Sequence, residues 1–220
     1  MLIDIHTHLD DAFYDENGYR VINAVDPDDY ETIHDEAAKE NSLVIPAYGV
    51  HPWYADKINK ELLEKYIVEN PDAYIGETGL DYGKRSCAGQ EDVFLFHIEL
   101  ANKYDRPLMI HCYNASHQMY EIIKDKIKVP FLMHRYSDDI NLLPKFIELG
   151  AYFSYGMGAP VDKIEETPLD RILSETDAKT FTVSRSVGYI ADVLKKDVES
   201  MKETIWKNAK TFLTKSNLNG

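Results

Sequence analysis

Residues 107–135 read PLMIHCYNASHQMYEIIKDKIKVPFLMHR, and the pattern they hold decides the fold. An apolar run at 107–111 ends on a histidine, a helix-like stretch follows at 115–127, and a second apolar run at 130–135 carries another histidine near its end. Short apolar runs of this kind are strands buried on both faces, and the segment between them is long enough to cross back over a sheet as a helix. The unit is therefore βαβ, with its two strands parallel.

The same alternation extends in both directions. Strands are expected near 2–6, 20–25, 43–50, 73–78, 107–111, 130–135, 150–155 and 171–176, with helices near 28–41, 56–70, 90–105, 115–127, 139–149, 186–196 and 198–214. In VFLFHIELANKY, residues 93–104, a helix puts Val93, Phe94, His97, Leu100, Ala101 and Tyr104 on one stripe, as a layer packed on a sheet requires. Segment 156–170 holds two prolines and little helical period, so its helix is expected to be one or two turns. Eight parallel strands with crossovers close into a (β/α)8 TIM barrel, in α/β class, and a doubly wound open sheet is the competing architecture.

Composition sets the outer bounds. With 220 residues and 44% hydrophobic content the chain forms one sizeable core, so residues 1–220 are read as a single domain. MLIDIHTHLD lacks the basic and apolar regions of a signal peptide, and no apolar run approaches a membrane span. Cys87 and Cys112 are expected to be unpaired thiols, and a cytoplasmic location follows from that cysteine usage. A formal net charge of −14 opposes capture of a long polyanion, so no stable duplex binding is expected.

Chemistry concentrates at the strand ends. Positions i and i+2 of a strand share a face, so His6 and His8 of IDIHTH project together, with Asp4 one step deeper. Glu77 in AYIGETGLD, His111 in PLMIHC, His134 in PFLMHR and Asp177 in ILSETDA each lie near the C-terminal end of an apolar run. In a barrel those ends converge on the face where active sites collect. Imidazole and carboxylate donors without a cysteine cluster suit an open site for Zn, Mn, Fe or Ni better than a closed structural zinc site. Six such residues exceed the needs of one tetrahedral ion, so two divalent ions sharing a carboxylate are expected, with Glu77 as the bridge.

The segments IDIHTHLD, GVHPW, IGETGLD, RPLMIHC, LMHRYSD and SETDA, in that order, resemble the TatD family of metal-dependent hydrolases, and the resemblance runs from Met1 to about Phe212. It implies a first ion (Zn, Mn or Mg) on His6, His8, Glu77 and Asp177, a second on Glu77, His111 and His134, and a substrate-facing His51. It also implies hydrolysis of phosphodiester bonds in DNA ends or small phosphodiesters, with Asp177 taking the proton. The chain departs from the family where Trp53 replaces a second histidine after H-P, which is expected to exchange a polar contact for a ring. After His134 it carries Arg135-Tyr136-Ser137-Asp138 in place of the usual C-F-[ST]-G, and the proline-rich stretch after SETDA is missing, with Lys179 among its replacements.

Arg135 is a candidate for a substrate phosphate, because a planar guanidinium fits that group. A small or single-stranded phosphodiester is the expected partner; an amide or lactone hydrolase on the same residues is the alternative. His34 and His117 are read as solvated or packed, and His97 as packing between helix and barrel. Tyr82, Lys84 and Arg85 would lie at the pocket mouth or in a solvated loop.

Overall fold

The strands form where the apolar runs fall. The computed structural model describes residues 1–9, 14–15, 17–83, 88–177 and 180–213. Its strands are β1 Ile3–Thr7, β2 Tyr19–Asn23, β3 Val44–Tyr48, β4 Tyr74–Asp81, β5 Leu108–Tyr113, β6 Phe131–His134, β7 Ala151–Tyr155 and β8 Ile172–Ser174. They lie side by side in chain order, and each neighbouring pair from β1 to β8 is parallel. A doubly wound sheet reverses its strand order at a switch point, so this order excludes it.

Polar groups hold the seam between β8 and β1. Ser174 Oγ donates to the Ile3 carbonyl at 2.9 Å, the Thr176 N–H to Asp4 Oδ1 at 3.0 Å, and the Asp177 N–H to the His6 carbonyl at 3.0 Å. Asp4 is buried there, so the carboxylate on the His6 side of β1 serves closure of the barrel. The result is the expected TIM-barrel architecture, nearly closed.

The helices are α1 Tyr30–Ala37, α2 Lys60–Glu69, α3 Gln90–Tyr104, α4 Ser116–Ile123, α5 Leu143–Glu148, α6 Val161–Glu166, α7 Val183–Val193 and α8 Val198–Phe212. On α3, Val93, Phe94, His97, Leu100 and Ala101 are buried, as the stripe requires, and Tyr104 packs at its edge. The short α6 matches the expectation for 156–170.

Local chemistry explains the differences in boundaries. Prolines open 3-10 turns at Pro27–Asp29 and Pro52–Lys57; Asp26 and His51 cap them by accepting N–H groups from Asp28 and Trp53. The helix expected from 56 therefore starts at Lys60, where Asn59 accepts the Leu62 N–H. Strand β4 runs three residues beyond the expected 78, since Gly79, Leu80 and Asp81 pair with His111, Cys112 and Tyr113 of β5. Gly79 permits that pairing: its φ is +145°, and a Cβ would stand 2.0 Å from the His111 carbonyl oxygen. Among the described residues no helix is long and apolar enough to cross a membrane.

Candidate metal centre

Glu77 stands in the middle of the site, 1% exposed, and its two carboxylate oxygens face different partners. Oε2 lies 3.4 Å from His6 Nε2 and 3.3 Å from His8 Nε2. Asp177 Oδ1 completes that side, 3.8 Å from His6 Nε2 and 3.5 Å from His8 Nε2. Oε1 lies 2.9 Å from His111 Nδ1, 2.8 Å from His134 Nε2 and 3.6 Å from His51 Nε2. All six residues expected at the strand ends thus meet at one mouth of the barrel, in groupings compact enough to hold a metal ion.

Hydrogen bonds to the remote ring nitrogens decide which imidazoles can ligate. His8 Nδ1–H donates to the Asn23 carbonyl at 2.9 Å, which turns Nε2 toward Glu77 and Asp177 as the nitrogen available to a metal. His111 Nε2–H donates to Asp81 Oδ2 at 3.0 Å, which leaves Nδ1 for the cluster. His51 has the opposite polarity. Its Nδ1 accepts the Trp53 backbone N–H at 3.1 Å, so the neutral ring carries its proton on Nε2 and presents a donor to Glu77. His51 therefore sits inside the cluster by distance but is a poor ligand by tautomer.

Electrostatics follow the same geometry. Burial, helped by His134, lowers the His6 pKa to about 4, and burial lowers His51 to about 4 as well. Burial also acts to lower His111, but hydrogen bonds to Asp81 and Glu77 outweigh it and raise the pKa to about 9. At His8 burial is likewise outweighed, by Asp177 and Glu77, and the pKa rises well above the usual value. Burial would raise the Glu77 carboxyl, yet the surrounding imidazoles hold it well below the carboxylate range. For Asp177, burial is outweighed by His8, His134 and His6, again lowering the pKa.

Several buried polar atoms in this cluster have no hydrogen-bond partner among the described residues: both His6 nitrogens, Glu77 Oε2 and His134 Nδ1. Buried polar atoms are ordinarily satisfied, so a group able to coordinate His6 Nε2, His8 Nε2 and Glu77 Oε2 together fits here. With imidazole and carboxylate donors and no thiolate among them, the residues suit divalent transition-metal ions.

Arg135 and Asp177 are joined across the mouth, Nη1–H donating to Oδ2 at 2.6 Å. Both take left-handed backbone conformations, φ 45° and 53°, which non-glycine residues seldom adopt outside constrained sites. The adjoining cavity, about 240 Å³, is lined by His111, Tyr113, His134, Arg135, Ser137 and Asp177 among others. Away from it, His117 is exposed and 2.9 Å from Asp139, His34 is exposed and bonded to Asn70, and Cys112 is a buried free thiol. Tyr82 donates to Glu91 at 2.7 Å, while Lys84, Arg85, Cys87 and Lys179 lie outside the described residues.

Two carboxylates at the site escaped the sequence reading, and one indole was read for its ring alone. Asp81 shares the strand face of Glu77 by period 2, a signal lost by ending β4 at 78. Glu175 is fully buried, accepts from Ser154 Oγ and stands 3.8 Å from His134 Nδ1; burial, then the Asp177 charge, raise its pKa well above the usual value. Trp53 keeps a polar contact after all, because its Nε1–H donates to Asp81 Oδ2 at 2.8 Å. The expectation that a ring simply replaces a polar group is corrected accordingly.

A parallel eight-stranded barrel with an imidazole–carboxylate cluster at its C-terminal mouth defines the class of metal-dependent hydrolases built on this fold. Residues 3–214 match the family model described as TatD related DNase, and the chain belongs to that family. It is 23% identical over 240 aligned residues to an uncharacterized metal-dependent hydrolase of Methanocaldococcus jannaschii, covering 96% of each chain. Over 170 residues it is 28% identical to the human 3'-5' RNA nuclease TATDN2, covering 69% of this chain and 22% of that protein. The crystal structure of YjjV, a TatD homologue from Escherichia coli, superposes with a TM-score of 0.82 at 19% identity, covering 96% of this chain and 97% of that one.

Proposed function

We propose that this protein hydrolyses phosphodiester bonds, in small phosphodiesters or at single-stranded nucleic-acid ends, with two divalent ions bridged by Glu77. The observation that carries the reading is the division of Glu77, with Oε2 toward His6 and His8 and Oε1 toward His111 and His134. His6, His8, Asp177 and Glu77 would hold one ion; Glu77, His111 and His134 would hold the other. Ions so bound supply Lewis acidity, which lowers the pKa of water and stabilises negative charge growing on the substrate oxygen.

The chain's own groups do the rest. Asp177 is ionised, and its Oδ2 accepts from Arg135, so that oxygen would be free to take a proton once Arg135 turns to the substrate. His51 offers an N–H donor from Nε2 on the Oε1 side of Glu77, suited to orient a substrate oxygen. Arg135 lines the cavity and can fork onto a phosphate. A barrel mouth of this size admits a strand end more readily than the middle of a duplex, and the human relative's name as a 3'-5' RNA nuclease agrees with action at ends.

The net charge of −14 favours a second reading, in which the substrate is an uncharged amide or lactone. Protein loaded with Zn²⁺ or Mn²⁺ and offered bis(p-nitrophenyl) phosphate, an aryl acetate, a lactone and an end-labelled single strand separates the two. Turnover of the diester and shortening of the strand from one end is expected. Turnover of the lactone or acetate alone would replace the proposal with the second reading.

A further inference from the structure

We infer that Trp53 is a positioning residue for the metal position at His111, acting through Asp81. The inference rests on the two-ion reading. Trp53 lies in the 3-10 turn Pro52–Lys57 that leaves β3, next to His51. Its backbone N–H is committed to His51 Nδ1 at 3.1 Å, while its indole Nε1–H reaches Asp81 Oδ2 at 2.8 Å. The same Oδ2 accepts from His111 Nε2 at 3.0 Å, and the other oxygen, Oδ1, accepts the Gly83 N–H at 2.7 Å. Asp81 itself is pinned by Gln90, which accepts the Asp81 N–H at 2.7 Å and donates to its carbonyl at 3.2 Å.

The consequence is a chain of donors and acceptors with one sense only. An indole nitrogen can only donate, so Asp81 Oδ2 must accept from it. A carboxylate oxygen so oriented also accepts from His111 Nε2–H, so the ring nitrogen that would give up its proton to a metal is Nδ1, the atom 2.9 Å from Glu77 Oε1. Trp53 thereby sets two of the three imidazoles that flank Glu77 Oε1, but in opposite senses: His51 as a donor toward the cluster, His111 as a ligand. The two rings are 4.4 Å apart, so exchanging those senses would place a proton where a cation should sit.

Only the side-chain arm is open to mutation. Trp53→Phe keeps an aromatic ring and the backbone N–H but removes the donor. Trp53→His restores it, since Nε1 of the five-membered indole ring and Nε2 of imidazole lie the same number of bonds from Cβ. Calorimetric titration with Zn²⁺ reads both metal positions, and His111→Ala marks which step belongs to His111. In Trp53→Phe the affinity of that step is expected to fall roughly tenfold, the lower end for loss of a group that orients a ligand. The other step should not change, and Trp53→His should recover most of the loss.

An unchanged affinity in Trp53→Phe, or equal losses in Trp53→Phe and Trp53→His, would overturn the inference while leaving two ions in place. A single ion in the unmutated protein would overturn the two-ion reading and the inference with it.

Discussion

His97 gives the most direct test of how the site is braced. It is fully buried on α3; its Nδ1–H donates to the Val93 carbonyl at 2.7 Å and its Nε2 accepts the Val50 N–H at 3.1 Å. Val50 precedes His51, so this neutral ring ties the helix layer to the end of β3. Burial lowers its pKa from 6.5 to about 4. The folded protein therefore binds fewer protons at His97 than the unfolded chain does, and stability falls as pH drops from 6.5 toward 4, then levels off. The full loss is about 3 kcal/mol at 1.36 kcal/mol per pKa unit, of which about 2 kcal/mol is reached at pH 5.

His97→Gln cannot titrate, and its amide does not reproduce both hydrogen bonds, so at pH 7 it should be less stable by roughly 1–3 kcal/mol. Urea unfolding of both proteins in chelator, followed by circular dichroism, isolates this one group because the other histidines are shared. The stability gap should shrink by about 2 kcal/mol between pH 7 and pH 5. A gap that stays constant over that interval would refute the neutral, bridging role.

Three further outcomes test the site itself. Gly79→Ala places a Cβ 2.0 Å from the His111 carbonyl oxygen, so it should cost about 2 kcal/mol or more in thermal unfolding and lower metal uptake; an unaltered melt would contradict the close approach of β4 and β5. Asp177→Asn should retain at least one ion while activity falls on the order of 10²–10⁴-fold, and full activity would remove Asp177 from proton transfer. Arg135→Ala should raise KM for a phosphodiester more than for a lactone, as measured on the same preparation; equal changes would deny it a phosphate contact.

The fold was legible because parallel strands buried on both faces leave uninterrupted apolar runs, and all eight fall within a few residues of those expected. Boundaries shifted where a rule other than hydrophobic period governs. Prolines convert helix starts to 3-10 turns, and β4 continues through Gly79, Leu80 and Asp81 beyond the expected 78. The six strand-end residues were legible because their type and position coincide. Asp81 and Glu175 were not, since a carboxylate that orients an imidazole has the same sequence appearance as one that does not. Trp53 was read for its ring, whereas its contact with the site is through the indole N–H.

The pairing of Arg135 with Asp177 bears on which substrate the site accepts. The guanidinium occupies Asp177 Oδ2, while Oδ1 faces His6 and His8. Every lone-pair direction of that carboxylate turned to a cation lowers its basicity, which opposes its use as a proton acceptor. A phosphodiester carries its own anion into the cavity, and a planar guanidinium binds phosphate at least as well as carboxylate. Such a substrate would draw Arg135 off Oδ2 and free the oxygen at the moment a proton must be taken. An uncharged lactone offers Arg135 no anion in exchange, so it would meet an Asp177 still held by its partner. On this ground the chain's departure at Arg135 favours the charged substrate, against the −14 of the whole surface, because a contact at 2.6 Å outweighs charges screened over a Debye length of about 8 Å.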